Sequence, residues 1–263
     1  IYVLDYPADQ VVTFSSGVSA LTGGYDLSNS TSLNKTYAYS AQDSQAYCMS
    51  FNNDGTKWYM YGAEKGIAWE YTLATAYDVS TATYNGVSTT APLGTGLSDF
   101  KWKTDGTALY CLEYSTRKLH TFTAYTPWDI TTLGYLGDWT IPTASGTQII
   151  RFTFNDAGTM LFMLSRGSDA LFSYNLSTAW DVSTATYTGD SLVLHPFLYV
   201  RDIYSDILDG LKFSASGHKC FVTNYNTSGT STKNAVFEID LATAWDITTA
   251  TYSGINVSIV PTY

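Results

Sequence analysis

The sequence predicts an all-β chain of the β-propeller class, with about five blades of four antiparallel strands. Three observations carry this. One unit of roughly 50 residues recurs along the chain, the period at which propeller blades repeat. One strand of each unit is apolar on both faces. Helical periodicity is absent, and β-branched and aromatic residues dominate.

The repeat has two markers in fixed register. The first is an aromatic, three residues, then Gly: Phe51 to Gly55, Trp102 to Gly106, Phe154 to Gly158 and Phe213 to Gly217. The glycines are spaced by 51, 52 and 59 residues. The second is an aromatic followed by Asp: Tyr77-Asp78, Trp128-Asp129, Trp180-Asp181 and Trp245-Asp246. Seven residues beyond each marker aromatic stands a Tyr: Tyr84, Tyr135, Tyr187 and Tyr252. The copies run over approximately 1–40, 42–90, 95–140, 146–194 and 205–260, within one expected domain of 1–263.

Copy one is the weakest. Tyr25-Asp26 carries its second marker, and Ile1-Tyr2-Val3-Leu4 matches the strand Trp58-Tyr59-Met60-Tyr61, but the opening aromatic and Gly are missing. The first blade is therefore expected to lack its innermost strand, giving 19 strands in all. In copy two the strands fall near 46–52, 57–62, 67–73 and 83–89, with Asn53-Asp54-Gly55-Thr56 as a hairpin turn. Copies three and four repeat this plan. Copy five replaces the turn with Ser216-Gly217-His218 and has an enlarged loop.

The second strand decides the architecture. Trp58, Leu109, Leu161 and Cys220 share one position; Tyr59, Tyr110, Phe162 and Phe221 the next; Met60, Cys111, Met163 and Val222 the third. A sheet with one wet face would alternate. Radially stacked blades bury both faces; a β-solenoid is the competitor. How the ring closes stays open: by a three-stranded blade, by a strand outside this chain, or as a window of a longer array. The chain opens on Ile1 with no initiator Met, so a processed product or a piece of a longer chain is expected.

The stretches FNNDGTKWYMYG, YTLATAYDVSTATYNG, YNLSTAWDVSTATYTG and IDLATAWDITTATYSG resemble the repeats of environmental, often marine, bacteriophage structural proteins and of some bacterial surface proteins. The resemblance covers residues 42–258 well and 1–40 weakly. It implies a virion tail, a fibre or a cell surface, and it brings no catalytic residues.

Charge narrows the partners. The net charge is -10 and only 14% of residues are charged. Nucleic-acid binding needs a basic face, and no basic run exists. Membrane insertion is not expected, because no apolar stretch approaches the roughly 20 residues that span a bilayer. Cys48, Cys111 and Cys220 lack C-x-x-C spacing, and three cannot all pair within one chain. Five Asn-x-Ser/Thr sequons, at Asn29, Asn34, Asn175, Asn226 and Asn256, fit chance in so hydroxyl-rich a chain. His120, His195 and His218 fall at unrelated frame positions, so no metal site or cofactor is expected.

Candidate sites remain. The marker aromatics could stack on sugars; the plainer reading has Asp78, Asp129, Asp181 and Asp246 cap tight turns while the aromatic wedges between blades. Asp54, Asp105 and Asp156 stand alone in their turns, which favours turn-making over calcium. Asp99, Arg151 and Asp209 fall on inner strands at the expected channel mouth, as ion pairs or solvated lining or as a polar-ligand site. Loops between the second and third strands, and between blades, emerge on one face and differ in every copy. They place Tyr114, Arg166, Phe197, Tyr199, Arg201, Tyr204 and Tyr225 on a variable face, either as a binding surface or as cover for blade edges. The leading expectation, resting on that resemblance, is a non-catalytic binding or structural propeller of a phage virion, in the tail or a fibre, acting by host-surface or glycan recognition. Its partners would be a surface glycan, a protein receptor or other virion proteins. The alternatives are a bacterial adhesin or lectin-like module and an enzyme of the lactonase or lyase kind.

Overall fold

The computed structural model describes residues 2–5, 10–18, 25–89, 93, 96–194, 206–226 and 235–258. They form nineteen strands and short 3-10 turns, with no α-helix among them. The chain is a β-propeller with four four-stranded blades. It packs as two compact units, residues 1–15 with 31–141, and residues 16–30 with 142–263.

Strands β1 (Tyr2–Asp5), β2 (Gln10–Val18) and β3 (Tyr25–Ala38) form a three-stranded sheet in the order β1-β2-β3. The expected count of about five blades is therefore corrected to four. Among its described residues the opening segment has no strand with the aromatic and Gly that start every full copy, and three strands do not make a four-stranded blade.

Blade A is β4 (Ala46–Phe51), β5 (Lys57–Gly62), β6 (Ile67–Leu73) and β7 (Ala82–Ser88). Blade B is β8 (Leu97–Trp102), β9 (Ala108–Glu113), β10 (Lys118–Ala124) and β11 (Leu133–Thr140). Blade C is β12 (Ile149–Phe154), β13 (Met160–Ser165), β14 (Ala170–Leu176) and β15 (Ala185–Val193). Blade D is β16 (Asp206–Phe213), β17 (Lys219–Asn226), β18 (Ala235–Leu241) and β19 (Ala250–Ser258). Each blade is an antiparallel meander in chain order. The strands of blade A lie within a residue of the expected bounds.

All twelve residues named above for the second strand are buried. Blades A and B share a core of Tyr59, Tyr61, Phe100, Trp102, Leu109 and Cys111. Blades C and D share one that includes Phe162, Leu164, Phe213, Cys220 and Val222. Burying Phe162 fully is worth about 2 to 3 kcal/mol, which is why both faces of this strand are apolar.

The two markers prove to be one device. Gly106 has φ 75°, and a Cβ there would lie 2.5 Å from the Trp128 ring. Trp128 itself has φ 63°, and its amide donates to the Gly106 carbonyl at 3.1 Å. The aromatic thus roofs the hairpin glycine of its own blade, and only glycine leaves room. The carbonyl of Trp128 accepts from the Tyr59 hydroxyl of blade A at 2.6 Å, and Trp245 stacks 6.0 Å from Phe162 of blade C. The marker therefore also locks neighbouring blades within each unit.

Candidate functional site

The Asp of the second marker serves the turn. Asp181 accepts from the Ser183 amide at 3.0 Å and its hydroxyl at 2.6 Å, and Asp78, Asp129 and Asp246 do the same. Asp54 and Asp105 likewise accept from Thr56 and Thr107 in their hairpins. Burial pushes the Asp105 carboxyl up, but hydrogen bonds from Lys103 and Thr107 outweigh it and hold the pKa down at about 2. These carboxylates are engaged in making turns.

The variable side is built differently. Turns 63–66, 114–117 and 166–169 join the second and third strands of blades A, B and C. Each closes on a left-handed residue: Gly66 at φ 68°, Arg117 at 58° and Asp169 at 46°. That shared backbone leaves the preceding positions free to vary. In blade A, Glu64 accepts from the Ser44 hydroxyl at 2.8 Å, and the Lys65 ammonium lies 5.7 Å over the Trp69 ring. In blade B Tyr114 is exposed.

Every inner strand carries a bulge at one position, between Ala46 and Cys48, Leu97 and Asp99, Ile149 and Arg151, and Leu208 and Gly210. The extra residues are Tyr47, Ser98, Ile150 and Asp209. A bulge re-aims the side chains around it. At Gly210 the strands approach so closely that a Cβ would meet the Thr223 hydroxyl at 2.4 Å.

These bulges bring together three of the expected site residues. Arg151, just past the bulge of β12, donates from Nη2 to Oδ1 of Asp209 at 2.7 Å and from Nε to the Asp209 carbonyl. Arg166, from the turn between β13 and β14, reaches the same Oδ1 at 3.6 Å. Asp209 is the bulged residue of β16, and its side chain is 43% exposed. A residue expected on the variable face and two expected at the channel mouth thus form one cluster. The Asp99 carboxylate, buried on β8, pairs with Lys101 at 2.9 Å, so Asp99 and Arg151 each have their own charged partner.

Tyr225 lies on β17 with its backbone opposite Ile207. Phe197, Tyr199, Arg201 and Tyr204 lie outside the described residues. Sequence reasoning missed a second polar group, in blade B. His120 Nε2 is 3.0 Å from Glu113, Lys118 is 3.1 Å from Asp138, and the Tyr135 hydroxyl donates to Asp138 at 2.9 Å. Comparing copies position by position would have found it, because these sites are apolar or uncharged in the other blades: Glu113 stands where Gly62, Ser165 and Asn224 stand, and His120 where Trp69, Phe172 and Phe237 stand.

No family model matches the chain, and no curated protein matches it. Solved structures do. A protein from Lactobacillus plantarum aligns at a TM-score of 0.51 and 15% identity, over 98% of this chain and 70% of that one. The fold is shared. A functionally unknown protein from Desulfotomaculum acetoxidans aligns at 0.49 and 10% identity, over 95% of this chain and 64% of that one. A putative 6-phosphogluconolactonase from Bacteroides uniformis aligns at 0.49 and 10% identity, over 96% of this chain and 69% of that one. The chain thus spans less than two thirds of the length of the Desulfotomaculum protein, and somewhat more of the other two.

Proposed function

We propose that this chain is a non-catalytic binding propeller whose variable side takes a hydroxyl-rich or acidic ligand, of the kind a cell-surface glycan presents. The observation that supports this is the Arg151–Asp209–Arg166 cluster. Guanidinium groups donate in a fixed fork to carboxylate or paired hydroxyl oxygens, and the half-exposed Asp209 carboxylate accepts from sugar hydroxyls. The cluster sits on a bulge and a divergent turn, the parts of a repeat fold that vary while the scaffold stays fixed. The virion or cell-surface setting, and a protein receptor or virion protein as partner, rest on the repeat resemblance alone. The acidic net charge supports a partner other than nucleic acid.

A glycan array followed by calorimetry on the best binder tests this. Arg166→Ala should weaken binding by about tenfold to a hundredfold, the worth of a charge-assisted hydrogen bond. Unchanged affinity in both Arg166→Ala and Asp209→Asn would reject the site.

The same cluster favours one second reading, a propeller enzyme of the lactonase or lyase kind. There Asp209 would activate water as a base, while the guanidinium groups hold an acidic substrate. Turnover of sugar-acid lactones that Asp209→Asn abolishes would replace the binding reading with this one.

A further inference from the structure

The outer strands of the four blades are not equivalent. In blades A, C and D the outer strand breaks at a bulge that contains a left-handed glycine: Gly86 at φ 80°, Gly189 at 91° and Gly254 at 80°. Two or three residues of the outer strand drop out of the ladder there, because pairing resumes between Tyr84 and Val87, Tyr187 and Ser191, and Tyr252 and Asn256. A polar side chain pins each bulge. Asn85 donates to Thr72 at 2.5 Å, Thr188 to the Ser173 carbonyl at 3.0 Å, and Ser253 to the Glu238 carbonyl at 2.9 Å. Bulges of this kind blunt a sheet edge against pairing with another chain.

Blade B departs from this at each point. Gly137, the counterpart of those glycines, has no left-handed φ and pairs with Thr121; Leu136 alone drops out between Tyr135 and Gly137. Leu136 takes the place of Asn85, Thr188 and Ser253, and it has no polar group with which to pin a bulge. It is 71% exposed, and Tyr135 beside it is 58% exposed. Among the described residues β11 pairs only with β10, so its other edge has no described sheet partner. The one charged side chain on β11, Asp138, is already neutralised by Lys118 and accepts from Tyr135.

We infer that β11 is a pairing edge, and that its partner is β11 of a second copy of this chain. The strand is self-complementary. Antiparallel pairing about a two-fold axis at Leu136 sets that leucine against its own copy and Tyr135 against Gly137. It sets Asp138 against Gly134, so like charges do not meet. A two-fold axis needs only one surface patch on each copy, and an edge with its single charge compensated meets no repulsion from its own image. The exposed leucine, placed where the fold uses a hydrogen-bonding residue, then lies at the centre of the interface.

Sedimentation velocity over a concentration series from submicromolar to high micromolar tests this, paired with hydrogen exchange. The wild-type chain should reach twice the monomer mass, with concentration-dependent amide protection on β11 and none on β7, β15 or β19. Leu136→Ser, which restores the polar residue of the other blades, and Leu136→Lys should each raise the dimer dissociation constant about a hundredfold or more, since leucine burial is lost on both copies. Unchanged circular dichroism and unfolding midpoint of the monomeric variants show that each blade still folds. A wild-type monomer throughout the series overturns the inference, including one whose β11 is protected only by an added extended peptide. A dimer that persists in both variants also overturns it.

Discussion

The pairing of each hairpin glycine with its marker aromatic, 22 residues on in blades A, B and C and 28 on in blade D, can be tested by separating strain from contact. Gly158 and Gly189 both have positive φ, 69° and 91°. Alanine at Gly189 would meet no described atom within 4 Å, so only backbone strain is added, about 1 kcal/mol. Alanine at Gly158 adds the same strain and puts a Cβ 2.2 Å from Trp180 Nε1. The ring must then leave its seat against Phe154, at 5.0 Å between centroids, which forfeits roughly 2 kcal/mol of partly buried aromatic surface. Gly158→Ala should therefore cost about 3 kcal/mol and Gly189→Ala about 1 kcal/mol. With Trp180 already changed to Ala, Gly158→Ala should cost only about 1 kcal/mol, a coupling of about 2 kcal/mol. Urea unfolding followed by tryptophan fluorescence reads this as midpoint shifts at unchanged slope. Equal costs at Gly158 and Gly189, or an undiminished cost in the Trp180→Ala background, would refute the account of the two markers as one device.

Two further outcomes follow from the titrating groups. Asp54, Asp78 and Asp105 all have folded pKa values below the ordinary 3.8, the first through Thr56, the second chiefly through Lys35, the third at about 2. A carboxyl with a depressed folded pKa contributes stability that is present above its unfolded value and lost as pH falls through the folded one, so the melting temperature should fall between about pH 4 and pH 2. Asp105→Asn should flatten that fall, and a pH-independent melting temperature over this window would contradict the assignment. All three cysteines are buried, and burial pushes the thiols of Cys111 and Cys220 well up. A colorimetric thiol reagent should therefore modify none of the three in the native chain and all of them in urea; prompt labelling without denaturant would show that the blade cores open.

The fold was largely legible in the sequence because its cause is local and repeated. The Gly55, Gly106, Gly158 and Gly217 turns, the aromatic-Asp marker and the two-faced apolar strand each follow from chain chemistry at short range, and the blades reproduce them. The blade count was misjudged at the N-terminus, where residues 1–38 carry one marker and, among the described residues, three strands and not the fourth. The site was legible only in part. Arg151, Asp209 and Arg166 could each be placed on a side of a blade, but their meeting at one oxygen could not be foreseen. Arg151 and Arg166 lie 58 and 43 residues from Asp209 in the chain, and their convergence depends on bulges in β12 and β16.

By itself the sequence determined a repeated four-stranded blade, which residues of it are buried, and which side of it varies. These depend on periodicity and turn chemistry, and both are written residue by residue. The tertiary structure decided which charges meet, and that the glycine left-handed in blades A, C and D is not left-handed in blade B. Gly137 and Gly189 occupy the same place in the repeat, yet one pairs in the ladder and the other bulges out of it. The difference lies in the neighbouring side chain: Thr188 can hold a bulge by hydrogen bonding across the sheet, and Leu136 cannot.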